Sequence, residues 1–125
     1  MNELNHNEEL IMGIFWKLEN ALVRDVLEEL PEPKPPYTTL ASSIRLLEKK
    51  GYLSHKTYGT THLFFPIISQ AEYSKKSINR IVKNFFEGSV SNFLSFMVKE
   101  KNISDDEIQD LQKLIEDYEN PKKNE

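Results

Sequence analysis

The 125-residue chain carries a net charge of −4, with 38% hydrophobic and 29% charged residues, which fits one soluble globular domain or a small domain with an appendage. It contains no cysteine, so disulfides, thiolate metal sites and a thiol nucleophile are excluded together. No stretch is long and apolar enough to cross a bilayer, and the acidic, polar opening is unlike a secretory signal, which predicts a cytoplasmic protein with no membrane insertion.

Asn5 is a good helix N-cap, and Glu8 stands three residues on, where its carboxylate can reach back to a free amide. Leu10, Ile11, Ile14, Phe15 and Leu18 then recur at helical spacing, with Trp16 expected at the edge of the core. A second helix is expected over Ala21 to Leu30, capped by Asn20, with Val23, Val26, Leu27 and Leu30 inward. Pro31 ends it, and the proline-rich run to Pro36 reads as a stiff extended connection.

A third helix is expected over Tyr37 to Lys50, with Leu40, Ile44 and Leu47 as its buried stripe. Its other faces carry Thr38, Thr39, Ala41, Ser42 and Arg45. Serine and threonine are indifferent helix formers, so their number here suggests a helix that must approach something closely. A DNA groove fits, because short hydroxyls reach base edges and Ala or Thr accepts a thymine methyl. Gly51 supplies a left-handed C-terminal stop. Two short strands follow, with a turn at Tyr58-Gly59-Thr60-Thr61 and an end at Pro66. A helix followed by a two-stranded hairpin is the second half of a winged helix-turn-helix.

Charge is distributed unevenly along the chain. Residues 1–33 hold eight acids and two bases, whereas residues 34–62 hold five bases and one acid. Lys49, Lys50 and Lys56 are therefore candidate phosphate contacts, with Thr60 at the wing tip. His55 and His62 are expected near each other across the hairpin, but two histidines make no metal site, and none is expected. No nucleotide loop, catalytic pair or cofactor motif appears, so no enzyme and no cofactor is expected.

From Gln70 onward, Ile78, Ile81, Val82, Phe85, Phe86, Val90, Phe93, Leu94 and Met97 recur at three- and four-residue intervals, with Gly88 expected to bend the helix. Ser104 and Glu107 form a capping-box pattern before a last helix bearing Ile108, Leu111, Leu114 and Ile115. These stripes are too apolar to leave in water and point to a homodimer. The expected organisation is mainly α with a small β-wing: a winged-helix DNA-binding domain over 1–68, a helical dimerisation region over 69–119 and a disordered tail over 120–125.

The chain resembles the penicillinase-repressor family of bacterial winged-helix regulators, the BlaI/MecI type. The resemblance rests on Met12-x-x-Phe15-Trp16, Val23-Arg24-Asp25-Val26, Tyr37-Thr38-Thr39-Leu40, Leu47-Glu48-Lys49-Lys50-Gly51-Tyr52-Leu53, the wing from Gly59 to Pro66, and Ile103 to Ile108. It implies a homodimeric repressor on palindromic double-stranded operator DNA. It also implies inactivation by proteolysis in the C-terminal part, triggered by a membrane sensor protease, with Ser95-Phe96-Met97 aligned to the cleavage region, where the family's usual Asn-Phe pair is absent. Two positions depart from the family, Leu46 and Thr60, where an arginine is usual. The rival readings are a winged-helix protein-interaction module without sequence-specific DNA binding, and an effector-sensing regulator.

Overall fold

The computed structural model describes residues 3–100 and 102–119, and the expected tail lies outside them. Two compact units divide the chain, Met1–Lys76 and Ser77–Glu125. The first therefore reaches past the boundary expected at residue 68.

In the first unit, α1 spans His6–Leu18. Its start is held by the expected reciprocal cap: Asn5 Oδ1 accepts the Glu8 amide at 2.8 Å, and Glu8 Oε1 accepts the Asn5 amide at 3.0 Å. The buried face is Glu8, Ile11, Met12, Ile14 and Phe15, whereas Leu10 is 40% exposed. The inward stripe follows the 8, 11, 12, 15 spacing, so the helix is rotated from the expected phase and carries a carboxylate inward. A pattern search that scores only apolar residues passes over that position. Trp16 does sit at the core edge, where its indole Nε1 donates to the Ile68 carbonyl at 2.9 Å.

The second helix, α2, covers only Val23–Glu29. Asn20 does not cap it; instead the Leu22 amide donates to Asp25 Oδ2 at 2.9 Å. Ala21, expected to be helical, is extended and pairs with Phe64, each amide donating to the other carbonyl at 2.9 Å. Its backbone groups thus bond to the hairpin, a long-range partner that no local pattern reveals. α2 has no base in its last turn. Lys34 supplies one from the proline-rich connection, its Nζ donating to the carbonyls of Leu27, Glu28 and Leu30 at 2.7–2.9 Å.

Helix α3 spans Tyr37–Lys49, entered from Pro36. Its end is a Schellman motif: the Tyr52 amide donates to Leu47 O and the Gly51 amide to Glu48 O, both at 3.0 Å, with Gly51 at φ 91°. Strands β1 (Leu53–Tyr58) and β2 (Thr61–Pro66) pair antiparallel from Leu53 opposite Pro66 to Tyr58 opposite Thr61. Gly59 takes φ 64°, which a two-residue hairpin turn requires at its first position. The core gathers Ile11, Met12 and Phe15 with Val26, Leu40, Ile44, Leu47, Leu53 and Phe64. Burial of each large side chain contributes about 1.5–3 kcal/mol. Three helices and this hairpin make a winged helix-turn-helix.

Helix α4, Gln70–Phe85, starts in the first unit and ends in the second. Its first turns are anchored by Tyr73, which is buried, packs at an angle to Trp16 and edge to face with Tyr52, and donates its hydroxyl to Glu9 at 2.7 Å. That anchor explains why the first unit continues to Lys76. In the second unit the helix does not bend at Gly88; it stops. Glu87 and Gly88 take φ 51° and 79°, and α5 begins afresh at Val90–Lys99 with Ser89 accepting the Asn92 amide. Phe86 packs against Phe93 and Phe96, with ring centroids 5.4 and 5.6 Å away. α6 spans Asp105–Glu119, and Ser104 Oγ accepts the Glu107 amide as expected. No helix among the described residues is long and apolar enough to cross a membrane.

Candidate nucleic-acid interface

The buried stripe of α3 fixes what its opposite side offers. Leu40, Ile44 and Leu47 face inward, so Thr38, Thr39, Ser42, Arg45, Leu46 and Lys49 are exposed. Thr38, Ser42, Arg45 and Lys49 follow one another at four, three and four residues and share a face. Ser42 Oγ accepts from an Arg45 guanidinium nitrogen at 3.4 Å, so these two are neighbours on that face. Lys56 and Thr60 are exposed on the wing.

Two expected members are placed differently. Ala41 is buried at the edge of the core, 8% exposed, and lies on the floor of the groove between α2, α3 and the wing. Lys50 points back to α1, its ammonium 2.6 Å from Glu8 Oε2, with the two side chains 22% and 6% exposed. Burial disfavours the charged Glu8 carboxylate, but the Lys50 hydrogen bond, the Asn5 amide and the Lys50 charge outweigh it and hold its pKa below the ordinary 4.5. Lys50 thus serves as the counter-ion of an almost buried acid.

Between α2, α3 and the wing lies a groove of about 360 Å³. Arg24 from α2, Arg45 and Tyr37 from α3, and His62 and Thr60 from the hairpin line it over a floor that includes Ala41 and Phe64. The expected meeting of His55 and His62 occurs, with ring centroids 4.4 Å apart and edge to face. His55 also meets Glu48 from α3, its Nδ1 lying 2.5 Å from the carboxylate. A carboxylate can only accept, so that nitrogen carries the proton. No cluster with metal-ligand geometry occurs among the described residues.

This constellation is wider than the sequence-based expectation. Arg24 lies on a different helix, and only the fold brings it to the same groove as Arg45. The sequence signals for it are its place in the Val23-Arg24-Asp25-Val26 stretch and its being one of two bases in an acidic first third.

The model of the family described as "Penicillinase repressor" matches residues 4–117. The chain belongs to this family. It is 24% identical over 123 residues to the penicillinase repressor of Bacillus licheniformis, with 97% of this chain and 95% of that protein covered. It is 26% identical over 118 residues to the methicillin resistance regulatory protein MecI of Staphylococcus epidermidis, with 90% and 93% covered. In this member of the penicillinase repressor family, the outer face of α3 sets Leu46, 47% exposed, amid hydroxyl groups.

Proposed function

We propose that this protein is a transcriptional repressor that binds a palindromic operator as a homodimer, with α3 in the major groove and the wing against the backbone. The observation that carries the reading is the exposed face of α3, Thr38, Thr39, Ser42, Arg45 and Lys49, next to a groove with two arginines. Short hydroxyls suit base edges, guanidinium groups suit phosphates or guanine, and lysine adds counter-ion release. The family description and one relative's name, penicillinase repressor, supply the direction of control.

The second unit supports the dimer. Ile78, Ile81, Phe85, Leu94, Leu114 and Ile115 are exposed, with Phe85 at 76%. Val82 is buried, Phe86, Phe93, Met97, Ile108 and Leu111 are half-buried, and Phe86 packs on Phe93. An apolar surface of this kind is characteristic of an interface that a second copy covers, and paired half-sites need a two-fold protein. Ser95 and Phe96 are exposed on α5 and Met97 is half-buried, a position open to attack by a sensor protease. Cutting there would separate α6, with the exposed Leu114 and Ile115, from α4.

The test is a mobility shift on the DNA upstream of the gene at two salt concentrations. A repressor of this kind prefers one upstream site over random duplex and loses affinity steeply with salt. Equal affinity for both duplexes, unchanged by salt, would sink the reading and favour a protein-interaction module.

A further inference from the structure

The groove between α2, α3 and the wing adds to the exposed face of α3 a cation from another helix, Arg24. Among the described residues, neither Arg24 nor Arg45 has a carboxylate within ion-pair distance. Two unpaired guanidinium groups from different helices line one cavity, with His62 on the wing side. Glu48 is the only carboxylate lining that cavity, and His55 binds it. The groove is thus net positive in a chain whose net charge is −4.

We propose that this groove seats a phosphodiester of the operator backbone between Arg24 and Arg45, and that His55 acts as a positioning residue by keeping the Glu48 carboxylate out of the seat. The proposal rests on the DNA-binding reading and adds to it a contact from α2. Arginine suits the seat because its planar fork binds phosphate oxygens in pairs. Glu48 lines the groove and would repel the same phosphate if its carboxylate turned toward the two arginines. The imidazole Nδ1–H prevents that by holding the carboxylate against β1. His55 itself need not touch DNA.

The experiment measures affinity for the upstream operator and for random duplex across a salt series, with the full-length protein. Arg24→Ala, at an exposed position, is expected to fold normally and weaken both complexes about equally, several-fold. It is also expected to lower the salt slope by about 1 for each phosphate it no longer neutralises. His55→Asn is expected to weaken binding, and His55→Asn with Glu48→Gln to restore it, since the amide repels no phosphate. A merely structural His55 would show no such rescue. Glu48→Gln alone, which needs no change at His55, is expected to bind at least as tightly as the natural protein.

An unchanged salt slope in Arg24→Ala overturns the phosphate seat, and failure of Glu48→Gln to rescue overturns the role of His55. Inorganic phosphate at fixed ionic strength provides the last arm. A melting shift that Arg24→Ala abolishes, with DNA affinity unaltered by that substitution, would reassign the seat to a free anion and overturn the backbone contact. If the natural protein shows no operator preference, the repressor reading fails first, and that result is distinguishable because it appears before any substitution is made.

Discussion

Lys50 and Lys49 are adjacent in sequence, yet their substitutions should separate stability from DNA binding. Lys50→Met keeps the side-chain stem and deletes the ammonium that neutralises Glu8. Breaking a fully buried pair costs about 3–5 kcal/mol, because the remaining charge is stranded. The Lys50 side chain is 22% exposed, so water reaches Glu8 once the ammonium is gone, and the expected loss is about 2 kcal/mol. For a unit of this size each kcal/mol shifts the melting midpoint by about 4–8 °C, giving a drop of roughly 8–16 °C. Circular dichroism melts at neutral pH measure it. Mobility shifts at a temperature where both proteins are folded should then show a near-natural salt slope. Lys49→Met, on an exposed side chain, should do the reverse: a melt within a few degrees, and a slope reduced by about 0.9 for each phosphate the lysine neutralises. A Lys50→Met protein that melts normally and loses salt dependence would refute the assignment of Lys50 to Glu8.

The same pair predicts an acid effect. The Glu8 pKa is depressed in the folded state, so its stabilisation is present above the unfolded value and is lost as pH falls through the lower folded value. The stability gap between the natural protein and Glu8→Gln should therefore narrow as pH falls below about 4.3, and a gap constant from pH 6 to pH 3 in denaturant titrations would refute it. Gly51→Ala places a Cβ at φ 91° in the Schellman turn and should cost about 1–2 kcal/mol in urea denaturation, while Gly13→Ala, inside α1 with nothing near its position, should be neutral or stabilising. Phe85→Glu charges a side chain that is already 76% exposed, so it should leave the helical content intact. On the dimer reading it should shift sedimentation from two copies toward one; an unchanged mass would place the interface elsewhere.

Much of the fold is legible in the sequence because its signals are local. The Asn5–Glu8 cap, the Gly51 stop, the Gly59 turn, the Ser104 cap and the stripe Leu40-Ile44-Leu47 each depend on residues within a few positions of one another. Such contacts form wherever the chain has that spacing, so pattern alone finds them. Pattern misleads where a distant partner overrides the local preference. Asn20 and Ala21 read as the start of a helix, but Ala21 satisfies its backbone on Phe64, forty-three positions away. Leu10 reads as a core residue because it is apolar, whereas the inward position goes to Glu8, which has Lys50 as a partner. Gly88 reads as a bend in a helix that in fact ends, with Glu87 joining it in the left-handed region.

By itself, the sequence determined a winged helix with a basic helix-and-hairpin and an apolar C-terminal third, because hydrophobic period, turn residues and charge are properties of neighbouring positions. Only the tertiary structure decided which cations remain available for a ligand. Lys34 is taken up by the carbonyls of α2 and Lys50 by Glu8, while Arg24 reaches, from another helix, the groove that Arg45 lines. A charge acts through what lies within a few ångströms of it, and for these residues the neighbours that matter are set by packing between elements and not by order along the chain.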